Sequence, residues 1–136
     1  MSTNENKAAV RRMFDEAFNL GNTSFINEMV AADYIDHSPM PAPAPGPEGF
    51  AQRTTILRTA FVEEVEFGEF LAEGDLVAFT WNFAGVHKGV FAGVPATGRK
   101  VTLAGINFER LKEGKIIEHW SQFDLVGLMK QINSAK

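Results

Sequence analysis

Seven residues near the C-terminus, Glu118-His119-Trp120-Ser121-Gln122-Phe123-Asp124, set an imidazole, an indole and a carboxylate along one short stretch. Side chains alternate along a strand. Glu118, Trp120, Gln122 and Asp124 are therefore expected on one face, and His119, Ser121 and Phe123 on the other. Acidic groups inside a fold need a partner or a purpose. A carboxylate on the same face as an indole makes Asp124 and Trp120 the leading pair for a site. Desolvation beside Trp120 would raise the pKa of Asp124 and let it move protons near neutral pH. The competing role is structural: an aspartate directly before Leu125-Val126-Gly127-Leu128 is well placed to cap a helix.

His119 falls on the opposite face, where it reads as a structural histidine on the helix side or at a subunit contact. A bulge before the strand end would change that parity and bring it into the site. Asp36-His37 reads either as a surface turn or as a second proton-transfer group at the mouth of a pocket. His87, beside Lys88-Gly89, reads as a solvated strand end. Histidines at 37, 87 and 119 lack the close spacing of a zinc site. Ser38 and Ser121 lack a nucleophile elbow. Gly85, Gly89 and Gly93 do not stand between a strand and a helix, which excludes a phosphate cradle.

The elements that would hold these groups follow from periodicity. Val10, Phe14, Ala17 and Phe18 recur at helical spacing from Glu5 to Leu20, with Gly21-Asn22 as the stop and Thr3 or Asn4 as the cap. A short helix runs from Thr23 through Val30, and an extended segment covers 32–37. Five prolines between 39 and 47 exclude a helix interior or a central strand. They mark an exposed loop, either a plain connector or a lid. Pro47 then suits the first turn of a third helix from Glu48 to Phe61. Strands are expected over 65–71, 76–87, 99–111 and 115–124, joined by turns at Glu73-Gly74-Asp75 and Lys112-Glu113-Gly114. A short terminal helix covers 125–132. Helices first and hairpin-linked strands afterwards predict an α+β fold, with helices on one face of an antiparallel sheet.

The chain has 136 residues, 45% hydrophobic, with a net charge of −4. That suits one globular domain over 1–136. There is no basic cluster, so neither nucleic acid nor an anionic membrane surface is the expected partner. No apolar run spans a bilayer, and Met1 to Lys7 lacks a signal core, so the expected location is cytoplasmic. With no cysteine there is no disulfide, thiol nucleophile or thiolate metal site. Twelve phenylalanines and two tryptophans can line a cavity as well as fill a core. The expected ligand is a small apolar molecule in the concave face of the sheet.

Several motifs, in order, carry a resemblance. They are Asn6-Lys7-Ala8-Ala9-Val10-Arg11-Arg12 with Phe18-Asn19-Leu20-Gly21-Asn22, Ala32-Asp33-Tyr34-Ile35-Asp36-His37, Gly46-Pro47-Glu48-Gly49-Phe50, Ala72-Glu73-Gly74-Asp75-Leu76-Val77-Ala78, Gly93-Val94-Pro95-Ala96-Thr97-Gly98-Arg99 and Gly114-Lys115-Ile116-Ile117-Glu118-His119-Trp120. Over nearly its whole length the chain resembles the SnoaL-like polyketide cyclases of the nuclear transport factor 2-like superfamily. The resemblance implies a cone-shaped fold, three N-terminal helices packed on a strongly curved antiparallel sheet, and a homodimer formed through the sheet. It also implies intramolecular aldol ring closure without metal or cofactor. It points to Asp124 as acid/base, assisted by His119 or His37, with Tyr34, Trp81, Phe83 and Trp120 walling the ring system. Where relatives often carry a histidine, this chain has Asn107, which can hold a carbonyl or enolate oxygen but cannot exchange protons. Alternatives are a double-bond isomerase resembling the ketosteroid isomerases, with its base near Asp36-His37, and a non-catalytic binder of hydrophobic ligands. Two titratable groups converging in the cavity favour catalysis; a purely apolar cavity favours binding.

Overall fold

A computed structural model of the chain describes residues 2–61 and 64–133. Met1, at the head of the polar N-terminal run, lies outside them. The chain opens with helix α1 (Thr3–Asn19). Its cap is Ser2, one residue before the expected pair: the Ser2 hydroxyl accepts from the Glu5 amide and the Glu5 carboxylate accepts from the Ser2 amide, a capping box. The helix ends as expected at Gly21, whose φ of 71° suits the left-handed C′ position. Short helix α2 (Ser24–Met29) leads straight into strand β1 (Val30–Asp36).

The proline-rich segment connects β1 to helix α3 (Gly46–Ala60), which carries Pro47 in its first turn. Four strands follow: β2 (Glu66–Glu73), β3 (Leu76–Val86), β4 (Lys100–Lys112) and β5 (Lys115–Phe123). Helix α4 (Leu125–Asn133) closes the described chain. No helix among the described residues is long and apolar enough to cross a membrane.

The fold is α+β. Among the described residues five strands run in the order β1-β5-β4-β3-β2, and the sheet they form does not close on itself. The β2 to β5 strands pair antiparallel, but β1 lies parallel to β5. The sheet is therefore mixed, which corrects the expectation of a purely antiparallel one. The reason is connectivity. The chain enters β1 from α2 and leaves it through the proline segment and α3, so no hairpin fixes the direction of β1.

Alternation along β3 puts Val77, Phe79 and Phe83 on the buried face. Helices α1 and α3 cover that face. Val10, Met13, Phe14 and Ala17 from α1 meet Phe50, Val77, Phe79, Leu111 and Ile116 in one core cluster. Leu128 and Ile132 of α4 join Phe61, Phe83, Val101 and Leu103 in a second. Arg58 of α3 donates from Nη1 to the carbonyl of Phe18 at 2.8 Å, tying the two long helices together.

The start of α3 is fixed by close backbone approach. Gly49 is buried, and a Cβ built there would overlap the carbonyl oxygen of Ala44 in the proline segment. In an open helix, Gly→Ala gains about 1 kcal/mol. Here we expect Gly49→Ala to cost about 1–3 kcal/mol through overpacking. Urea unfolding measures this, and a gain in stability would contradict the packing described.

Candidate active site

Strand β4 runs Lys-Val-Thr-Leu-Ala-Gly-Ile-Asn-Phe-Glu-Arg-Leu-Lys, and its inward side chains include two polar ones, Asn107 and Glu109. Glu109 has no exposure to water, and Asn107 is buried at 5%. Across the hairpin, Glu109 lies directly opposite His119, and Asn107 opposite Ser121. That pairing depends on a bulge. Leu111 pairs with Ile116 but Arg110 pairs with Glu118, leaving Ile117 as an extra residue in β5. The bulge turns the end of β5 so that Ile116 and His119, three residues apart, both face inward. The bulge lies before Glu118, so the alternation within 118–124 is kept and His119, Ser121 and Phe123 stay on one face.

The imidazole of His119 meets Glu109 through Nδ1, 2.7 Å from Oε1 and 2.9 Å from Oε2. Both carboxylate oxygens face one ring nitrogen, so a proton must lie between the two groups. Asn107 Nδ2 donates to Glu109 Oε2 at 3.3 Å, and Trp81 Nε1 donates to Asn107 Oδ1 at 2.8 Å. Because the indole nitrogen can only donate, it fixes the amide orientation: oxygen toward Trp81, NH2 toward Glu109. Trp81 lies flat across Gly105, where a Cβ would collide with the indole ring. The edge of Phe50 packs on His119 with ring centroids 5.1 Å apart. Burial pushes the Glu109 carboxyl above the usual carboxylate range, while the His119 ring and the Asn107 amide act against that rise.

His119 lines a cavity between the sheet and helices α1 and α3. The space within it, open solvent at the mouth included, is about 660 Å³. Phe14, Phe18, Phe67, Phe79, Trp81, Phe83, Leu103 and Phe123 supply apolar walls. Ser38 and Met40 of the proline segment roof it, and Arg53, Thr54, Asn107, Ser121 and His119 give it polar points. Arg53 is buried at 6%, its Nη1 donating to Asp36 Oδ2 at 2.5 Å and to the carbonyl of Met40 at 2.9 Å.

Of the residues expected at the site, Trp81, Phe83, Asn107 and His119 line the cavity. Four do not, and these are corrections of place. Asp124 is exposed and accepts the Gly127 amide at 2.8 Å through Oδ1, capping α4. The cap geometry holds its side chain at the helix end, away from the concave face. Trp120 points to the outer face of the sheet, opposite Phe108 in register. His37 stacks on Trp120 there at 4.9 Å and meets Glu118 Oε2 at 2.7 Å. The His37 bond, with help from Arg110, holds the Glu118 carboxyl below its usual range. Tyr34 packs against Phe50 at 5.7 Å outside the cavity lining. Its hydroxyl stands 3.4 Å from Asp36, and burial and the Asp36 charge push its pKa up to about 12. The parity of 118–124 was right, but its inward face was assigned the wrong way round. His87 likewise departs from the solvated reading: it is fully buried, its ring 5.2 Å from Phe61.

Sequence reasoning missed Glu109 and Arg53. Both had a signal. Glu109 continues the inward series Val101, Leu103, Gly105, Asn107, and Arg53 interrupts the apolar stripe Phe50, Leu57 of α3.

A family model for SnoaL-like polyketide cyclases matches residues 8–132. The chain belongs to the SnoaL-like polyketide cyclase family. It is 35% identical over 130 residues to aklanonic acid methyl ester cyclase DnrD of Streptomyces peucetius, covering 90% of this chain and 87% of that one. It is 30% identical over 119 residues to nogalonic acid methyl ester cyclase of Streptomyces nogalater, covering 85% and 89%. Among solved structures, a SnoaL-like protein from Jannaschia Sp. CCS1 superposes with a TM-score of 0.87 at 25% identity, covering 98% of this chain and 95% of that one. The cone fold of the SnoaL-like family is thus the frame that holds the Glu109–His119 pair.

The raised pKa of Glu109 has a measurable sign. A carboxyl that holds its proton more tightly when folded contributes stability fully below its unfolded pKa, about 4.3. That contribution is lost as pH rises through the folded value. Wild type should therefore lose stability relative to Glu109→Gln as pH climbs from about 4 to 8 in urea unfolding. Parallel stability profiles would contradict the buried carboxylate described here.

Proposed function

We propose that this SnoaL-like chain is a polyketide cyclase that closes a ring by intramolecular aldol addition, with His119 as the acid/base and Glu109 as the residue that positions it. The observation that carries this reading is the buried Glu109–His119 pair, with His119 on the wall of a largely apolar cavity. A proton held on Nδ1 by Glu109 leaves Nε2, on the far side of the ring, with its lone pair. The burial that makes an isolated carboxylate costly also favours uptake of a second proton by the pair.

The steps balance without a co-reactant. His119 Nε2 takes a proton from a carbon next to a carbonyl, and the C–H electron pair moves to make an enolate. The enolate carbon attacks a second carbonyl in the same molecule and forms the C–C bond. The electrons of that C=O pass to its oxygen, and the imidazolium returns its proton there. Product and substrate are isomers. Phe14, Phe79, Trp81, Phe83 and Phe123 exclude water, which strengthens electrostatic effects in the site and discourages side reactions of the enolate. Asp36, the candidate base of the isomerase alternative, is engaged by Arg53 and by the Ser38 amide at 2.9 Å. The polar points on the wall also weigh against a purely apolar binding pocket.

The substrate class suggested by the relatives is the methyl ester of a polyketide acid, since the named relatives are cyclases of such esters. Incubation with aklanonic acid methyl ester should give a product of unchanged mass and altered chromatographic mobility. His119→Gln, with its circular dichroism unchanged, should lower turnover by about 10²–10⁴-fold. Full turnover in that variant would remove His119 from the mechanism.

We also propose that the outer face of the sheet is covered by a second copy of the chain. Ile106 and Phe108 stand 50% and 43% exposed in the central strand β4, beside Trp120. An exposed apolar patch centred on a sheet favours association. Light scattering should give twice the chain mass, and Phe108→Glu should halve it. A wild-type monomer would contradict this.

A further inference from the structure

Arg53 is the one cation on the wall of the cavity among its described lining residues, apart from whatever charge His119 acquires. Helix α3 places it one turn after Phe50, and its guanidinium carbon lies 5.2 Å from the centre of that ring. Nη1 donates to Asp36 and to the Met40 carbonyl. Asp36 is itself held by the Ser38 amide and faced by the Tyr34 hydroxyl. A guanidinium offers five N–H donors in a rigid fork, and Nη1 accounts for two of them. The Tyr34 hydroxyl also accepts from the guanidinium. Nε and Nη2 are not among the buried polar atoms that lack a partner, which among the described residues are Asn6 Oδ1 and His87 Nε2. Arg53 nonetheless lines the cavity.

The strap between α3 and the proline segment and the bond to Tyr34 take at most three of the five donors. The surplus donors point to a second task, and charge balance identifies it. Asp36 and Arg53 neutralise each other, so the pair brings no net charge that would draw in a permanently anionic ligand. Glu109 carries the negative charge of the resting dyad. When His119 takes a proton, negative charge appears on a substrate oxygen instead. Preorganised donors are most effective where charge develops during a reaction. We propose that Arg53, oriented by Asp36, receives the enolate oxygen formed when His119 removes the substrate proton. This rests on the acid/base reading above. It implies that the acidic carbon is flanked by a carbonyl seated between His119 and Arg53, as in a neutral 1,3-dicarbonyl compound.

4-Nitrophenol tests this without turnover, because its anion carries charge on a conjugated oxygen as an enolate does, and absorbs visibly. Bound to wild-type protein, it should ionise at lower pH than bound to Arg53→Met, by about one pH unit, a tenfold change in the equilibrium. Arg53→Lys should recover part of that shift, since a cation returns without the fork. A merely structural arginine would change the unfolding midpoint and leave the bound probe's ionisation alone. Equal ionisation in wild type and folded Arg53→Met overturns the proposal. Should Arg53→Met fail to fold, Arg53→Lys carries the comparison, and ionisation equal to that of wild type overturns it. Failure of the probe to bind wild type at millimolar concentration also overturns it. Loss of cyclase turnover as a reading would leave a positive probe result standing, and a negative probe result leaves the Glu109–His119 pair untouched.

Discussion

A carboxylate with no exposure to water must be given hydrogen-bond donors by the fold, because an unpaired buried charge costs several kcal/mol. Glu109 is that carboxylate. It obtains donors from His119 across the hairpin and from Asn107 on its own strand, and Asn107 is in turn fixed by Trp81. Three neighbouring strands are thereby committed to one arrangement of side chains. The same bonds that satisfy Glu109 set the ring of His119 and lay the indole of Trp81 against the cavity. Structural satisfaction and chemical readiness come from one network, so neither can be altered alone.

The backbone contributes three local devices to that network. The extra residue Ile117 in β5 brings His119 opposite Glu109. Gly105 leaves room for the indole to lie flat. Gly49 lets the proline segment press on the start of α3, which carries Phe50 onto His119 and Arg53 into the cavity. Each is a place where a regular element is interrupted or a side chain omitted, and each borders the site. Irregularities of this kind tend to re-aim side chains where function needs them.

Much of the architecture was legible in the sequence. The periodicity of Val10, Phe14 and Ala17 and the alternation of Val77, Phe79 and Phe83 gave elements and faces directly, because one face is buried in each. The site was less legible. Parity correctly separated Glu118, Trp120 and Asp124 from His119, Ser121 and Phe123. Which set faces inward depended on the bulge at Ile117, and nothing local to 118–124 reveals it. Trp120 looked like a cavity residue because aromatic rings usually are interior, yet on this sheet the outer face is also apolar. Asp124 was read from a helix start, where capping was the stronger demand. The parallel pairing of β1 with β5 is a long-range choice that periodicity does not record.

The chain belongs to a family of polyketide cyclases, and the proposed acid/base role of His119 rests on its geometry with Glu109. The most direct test of that account is the protonation of the His119 ring, read by ¹⁵N chemical shifts in the folded protein at neutral pH. The account predicts a neutral ring with its proton on Nδ1, shared with Glu109, and Nε2 bare toward the cavity. A ring protonated on Nε2, with the proton of the pair resting on Glu109, would leave no base facing a substrate and would contradict it.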